Sequence, residues 1–140
     1  MRAAMLTADT VRLGTDVVLA LYGAIDAGEA TRAVPLFTED AVWETSARRA
    51  EGIEAIAQFL GDREADRDRR TIHAVSNMRT SATEDDHLEI GVLLTVYTPS
   101  LSGASPSWAI DFVGGATHVL RLEDGRWRIA SRRPSGPGGS

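Results

Sequence analysis

The sequence predicts an α+β domain in which a cone-shaped, curved antiparallel sheet wraps around three N-terminal helices and encloses a pocket. Three observations carry this expectation. Helical periodicity is confined to the first half of the chain. Strand-like runs separated by turn signals fill the second half. The pair Gly114-Gly115 interrupts the third long strand, where a bulge or sharp bend would curve the sheet.

The elements follow in order. After a loose leader, Thr7, Asp9 or Thr10 can cap a first helix whose apolar face is Val11, Val18, Leu21, Tyr22 and Ile25. Gly28 stops it. A second short helix fits residues 30–37, bent by Pro35. A strand over 41–45 follows, then a third helix over 51–60 with Ile53, Ile56, Phe59 and Leu60 on one side. The charged run 61–70 reads as a solvated helix end or loop. Strands are expected over 71–81 and 88–98, joined through the turn at 83–86. A Ser/Gly/Pro loop over 99–106 precedes strands over 108–122 and 126–132, and these flank Asp124-Gly125, a strong hairpin turn.

Bulk properties exclude several classes. With 140 residues, 43% of them hydrophobic and 25% charged, the chain is expected to form a single domain over 1–133 and a disordered tail over 134–140. A net charge of −5 argues against nucleic acid as a partner. The absence of cysteine removes disulfides, thiolate nucleophiles and cysteine metal sites. No apolar run approaches the roughly 18 residues of a membrane span, and the first residues lack the apolar core of a secretory leader. A cytoplasmic protein is the expectation.

The segments AIDAGEATRAVPLFTEDAVWE, RRTIHAVSNMRT and HVLRLEDGRWRIASRR, taken with the order of helices and hairpins, resemble the nuclear-transport-factor-two-like superfamily and within it the SnoaL-like branch. The resemblance spans roughly residues 10 to 133 of the sequence. It implies polyketide cyclase, scytalone dehydratase or ketosteroid isomerase-like chemistry, or a plain binding module, because this fold hosts all of them.

Candidate residues follow from the strands and from this resemblance. Alternation puts His73, Val75 and Asn77 on one face of their strand, and Ile72, Ala74, Ser76 and Met78 on the other. In scytalone dehydratase-like members, a histidine at the place of His73 pairs with an aspartate at the place of Asp26. Such a carboxylate fixes the ring tautomer and raises the basicity of the second nitrogen. The bland alternative is a histidine bonded to a backbone carbonyl and an exposed Asp26. His118 shares a face with Trp108, Ile110, Phe112, Gly114, Ala116 and Leu120 if the glycine pair leaves the register intact, and Asp111 then points away. The place of His118 resembles that of the oxyanion-stabilising acid of ketosteroid isomerase; otherwise it is a strand-end histidine, exposed or packed against Trp127. Tyr22, Trp43, Phe59, Trp108 and Phe112 line a flat apolar substrate site or are ordinary core aromatics. Asn77 orients a substrate carbonyl or bonds backbone.

The resemblance also marks departures. Thr45, Leu21 and Ile25 stand where relatives carry a general base or tyrosines. Three scattered histidines give no metal site, His87 reads as exposed, and no glycine-rich loop suggests a nucleotide. The expectation is therefore a cofactor-free cyclase, dehydratase or isomerase that acts on a hydrophobic, carbonyl-containing small molecule such as a polyketide. His73, Asp26 and His118 would be catalytic, and no metal or cofactor is needed. The alternative is a non-catalytic ligand-binding or assembly module. Either would be a homodimer through the outer sheet face that includes Ile72, Ala74 and Met78.

Overall fold

In the computed structural model, which describes residues 6–84, 86–100 and 107–136, Thr7 decides where the first helix begins. Its hydroxyl accepts the Thr10 N–H at 3.1 Å, and α1 runs Ala8–Asp26. Gly14, Val18, Leu21, Tyr22 and Ile25 recur at helical spacing and are buried. The helix stops at Gly28, whose φ of +76° costs no other residue type so little. A 3-10 helix, Ala30–Leu36, contains Pro35 and leads into strand β1, Phe37–Glu44. A short strand β2, Arg49–Glu51, precedes helix α2, Ile53–Ala65. Strands β3 (Ile72–Glu84), β4 (His87–Ser100), β5 (Ser107–Glu123) and β6 (Arg126–Ser135) complete the chain.

The six strands form one unclosed, curved sheet in the order β2-β1-β6-β5-β4-β3. The four long strands are antiparallel, as expected, but β1 lies parallel to β6, so the sheet is mixed. β4 turns Leu88, Ile90, Val92 and Leu94 to the core, where they join Val18 and Leu21 of α1 and Ile56 and Leu60 of α2. Burying each such side chain contributes about 1.5–3 kcal/mol, and this fixes both helices across the concave face. Asp124 and Gly125 take φ of +53° and +78°, as a tight two-residue hairpin turn requires.

Several expectations shift. α2 continues five residues past Leu60 into the charged run, and β2 was not expected. Pro99 and Ser100 belong to β4, while 101–106 lie outside the described residues, as does Asp85 in the expected turn. Pro134 and Ser135 extend β6, so the expected tail cannot begin at 134, and 137–140 lie outside the described residues.

The largest correction concerns facing. β5 passes in register through Gly114 and Gly115, opposite Leu94 and Leu93. A Cβ at Gly115 would collide with the carbonyl oxygen of Ser135, so this glycine serves close strand approach rather than a bulge. The bulges lie elsewhere. Phe112 pairs with Val96 and Ile110 with Tyr97, leaving Asp111 as the extra residue. Ser76 pairs with Leu93 and Arg79 with Gly91, so Asn77 and Met78 together oppose one residue. Leu120 pairs with Ile129 and Val119 with Ser131, leaving Ala130 over. Each bulge reverses which face the following side chains occupy.

Candidate active site

The last residue of α1 meets the first residues of β3. Asp26 Oδ1 lies 2.6 Å from His73 Nδ1, and Asp26 Oδ2 accepts the His73 backbone N–H at 2.6 Å. Thr71 donates its hydroxyl to Asp26 Oδ1 at 2.9 Å and accepts from Arg63 Nη2 at 3.1 Å. Burial alone would raise the Asp26 carboxyl. The hydrogen bonds from the His73 ring and backbone, the charge of that ring and the Thr71 bond outweigh it, and the group sits below the ordinary carboxylate range. An ionised Asp26 accepts, so Nδ1 carries a proton, and Nε2 is the nitrogen left to exchange one. Among the described residues, no group bonds Nε2. This arrangement fits a general base.

His73 stands on the wall of a cavity of about 460 Å³, within the range of small-molecule sites. Tyr22, Ile25, Trp43, Phe59, Leu94, Val96 and Phe112 supply its apolar lining, and Arg132, Arg63, Arg69, Thr71, Thr45 and Asp111 its polar groups. The Tyr22 and His73 rings lie 5.1 Å apart. Trp43 packs against Phe37 and Phe59, and its Nε1 is buried with no partner among the described residues. Arg132 is 4% exposed. It donates to the Glu44 carbonyl at 2.9 Å, and its guanidinium lies 5.8 Å over Trp43. Burial pushes the Tyr22 phenol up, against the charge and hydrogen bond of Arg132.

The expected residues divide as follows. Asp26 and His73 come together, and Tyr22, Trp43, Phe59 and Phe112 line the same cavity. His118 does not line it. It is fully buried, with Nε2 2.7 Å from the Tyr22 hydroxyl and Nδ1 3.3 Å from the Ile90 carbonyl. Both ring nitrogens are occupied by protein, so the expected direct donation to an enolate has no geometry behind it. Trp108 is a second correction. The Asp111 bulge turns Trp108 and Ile110 outward, where they are 41% and 61% exposed, and the Arg70 guanidinium lies 5.5 Å over the Trp108 ring. The same bulge brings Asp111 to the cavity instead of away from it. Asn77, at φ +51°, is exposed and off the His73 face, while Met78 packs partly buried against the core rather than on the outer face.

Arg132, Arg63, Arg69 and Thr71 were not read from the sequence as site residues. Arg132 reaches the cavity only because the Ala130 bulge shifts the register of β6. The one signal in reach was the run of arginines beside the histidine strand.

Two other features lie apart from these residues. A groove of about 790 Å³ is lined by Asp40, Arg121, Glu123 and Arg128; there Arg121 pairs with Asp40 at 2.8 Å and with Glu123 at 2.7 Å, and Arg128 donates to the Pro35 carbonyl at 2.6 Å. Glu84, Asp86 and His87 gather at the β3–β4 turn within 4.8 Å, and both carboxylates are exposed. Among the described residues, no helix is long and apolar enough to cross a membrane.

Comparison with known proteins places this geometry. The model of a family described as the SnoaL-like domain matches residues 15–133. Among solved structures, the chain is similar to a protein of unknown function from Mycobacterium tuberculosis, at 19% identity and a TM-score of 0.78, covering 90% of this chain and 75% of that one. It is similar to a candidate scytalone dehydratase from Novosphingobium aromaticivorans, at 16% identity and a TM-score of 0.72, covering 87% and 80%. A Catenulispora acidiphila protein in complex with S-DNPA matches at 23% identity and a TM-score of 0.74, covering 90% and 92%. At these identities the likeness shows the fold alone. No curated protein gives a significant match.

Proposed function

The chain belongs to the SnoaL-like domain family, and from that premise we propose that it is a cofactor-free acid–base enzyme, a cyclase, dehydratase or isomerase acting on a hydrophobic carbonyl compound of the polyketide type. The observation that carries the reading is the Asp26–His73 pair, 2.6 Å apart, on the wall of an apolar cavity. His73 Nε2 takes a proton from the carbon beside the substrate carbonyl. The C–H electron pair moves to the carbonyl oxygen and forms an enolate. Arg132, a buried cation in the same wall, stabilises that oxygen. Return of the proton to another atom gives isomerisation, loss of a β-hydroxyl as water gives dehydration, and attack of the enolate on a second carbonyl gives ring closure. Asp26 orients the imidazole and stabilises its protonated form.

One observation favours the second reading, a binding module: Thr45 and Ile25 line the cavity and Leu21 lies buried behind it, at places where related enzymes carry catalytic groups. Both readings include a homodimer through the outer sheet face, where Ile72, Ile110 and Val113 are 42%, 61% and 46% exposed.

The test is exchange of α-hydrogens for deuterium, followed by proton NMR in D2O with bicyclic aryl ketones such as 1-tetralone. The wild type should accelerate exchange by about 10²-fold or more over buffer, the lower range for a positioned base, and His73→Gln should return it to the buffer rate. Equal acceleration by both proteins removes the dyad from the chemistry, and no acceleration by the wild type leaves the binding module.

A further inference from the structure

We infer that the compound this cavity takes is an anion, carrying a carboxylate that Arg63 and Arg69 bind at the cavity wall. The inference rests on the reading of the cavity as a substrate site and names the class of substrate.

The charges around the cavity oppose those of the chain. The protein as a whole carries −5, yet three arginines and one aspartate line this space. Arg63 belongs to the last turns of α2, and Arg69 follows just beyond its end. Both also border the adjoining surface cleft, together with Arg67 and Arg70. The hydrogen bond described for Arg63 uses Nη2 alone, on the neutral Thr71 hydroxyl, and leaves the rest of its fork of donors. Among the described residues, neither Arg63 nor Arg69 makes an ion pair. Of the acids of the cleft, Asp26 holds His73 and Thr71 and Glu64 accepts from the Thr31 N–H and hydroxyl, while Asp66 acts on Arg63 through space without forming an ion pair. Partial burial and the charge of Arg69 push the Arg63 guanidinium below its ordinary value, against the charges of Asp66 and Asp26, and an incoming anion would relieve what remains.

A planar carboxylate matches a guanidinium fork with two parallel hydrogen bonds. Bound there, its carbon skeleton extends along Phe59 and Phe112 toward His73, all of which line the same space. The arginines thus select an acid-bearing substrate and fix which of its carbons meets the base.

The experiment compares a matched pair of probes, 2-naphthylacetate and the neutral 2-naphthylacetamide, by titration calorimetry at pH 7.5 and low salt. The acid should bind about tenfold more tightly than the amide, the scale of one charge-assisted pair. Arg69→Gln, an exposed position that leaves the core untouched, should reduce that preference, and Arg63→Gln with Arg69→Gln should abolish it while the amide keeps its affinity within about twofold. Equal binding of acid and amide to the wild type overturns the inference and leaves the cavity as a ligand site. A preference that survives the double substitution also overturns the assignment to these two residues. If neither probe binds, the inference fails together with the reading of the cavity on which it rests.

Discussion

Tyr22 donates a hydrogen bond from its hydroxyl to His118. The oxygen lies 2.7 Å from Nε2, and the opposite nitrogen, Nδ1, faces the Ile90 carbonyl at 3.3 Å, so Nδ1 must be the protonated one and Nε2 the acceptor. A histidine expected to touch substrate instead anchors the tyrosine that does line the cavity. It is neutral for a stated reason. Burial, and then the charge of Arg132, push its pKa down to about 3, against the Ile90 carbonyl.

That depression has a pH signature. In the unfolded chain His118 titrates near 6.5, and in the folded protein near 3. The stability it confers is therefore complete above pH 6.5 and is lost as the pH falls toward 3, at about 1.4 kcal/mol per pH unit. Urea denaturation of the wild type should show this decline across pH 6 to 4, and His118→Gln should flatten it. Asp26 acts in a lower window. Its folded value lies below 3.8, so its contribution is present above 3.8 and lost only as the pH falls through that lower value. A wild-type profile with no slope between pH 6 and 4 would contradict the buried neutral histidine.

Two glycines should respond oppositely to alanine. At Gly115 the new Cβ meets the Ser135 carbonyl oxygen on the neighbouring strand, and Gly115→Ala should cost about 1–3 kcal/mol, the range for forcing atoms into a packed site. Gly61 lies inside α2 with nothing within 4 Å of an added Cβ. Gly61→Ala should stabilise by about 0.5–1 kcal/mol, because alanine loses less backbone freedom in a helix. Thermal melts of the two variants check both signs.

The contrast explains what the sequence made legible. Periodicity placed α1 and its core face, and Asp-Gly placed the β5–β6 hairpin, because both signals are local and repeated. The pairing of Asp26 with His73 was implied by the resemblance to scytalone dehydratase-like proteins and not by the residues alone, which left an exposed Asp26 open as well. Facing along the long strands was not. Asn77, Met78 and Asp111 lie in bulges, Trp108 and Arg132 lie within three residues of one, and a bulge has no periodic signature. Only Asn77 offered a local hint, as asparagine tolerates its φ of +51° better than most residues. The glycine pair misdirected the expectation because close strand approach and bulging both call for glycine.

The central claim is that Asp26 holds a proton on His73 Nδ1 and so leaves Nε2 to act as the base. Nitrogen-15 NMR of the ring, recorded at pH 8 on the wild type and on Asp26→Asn, tests it most directly. The account predicts the Nδ1–H tautomer in the wild type and a shift toward Nε2–H in the variant, whose amide no longer favours a donor at Nδ1. A wild-type ring protonated on Nε2 would contradict it.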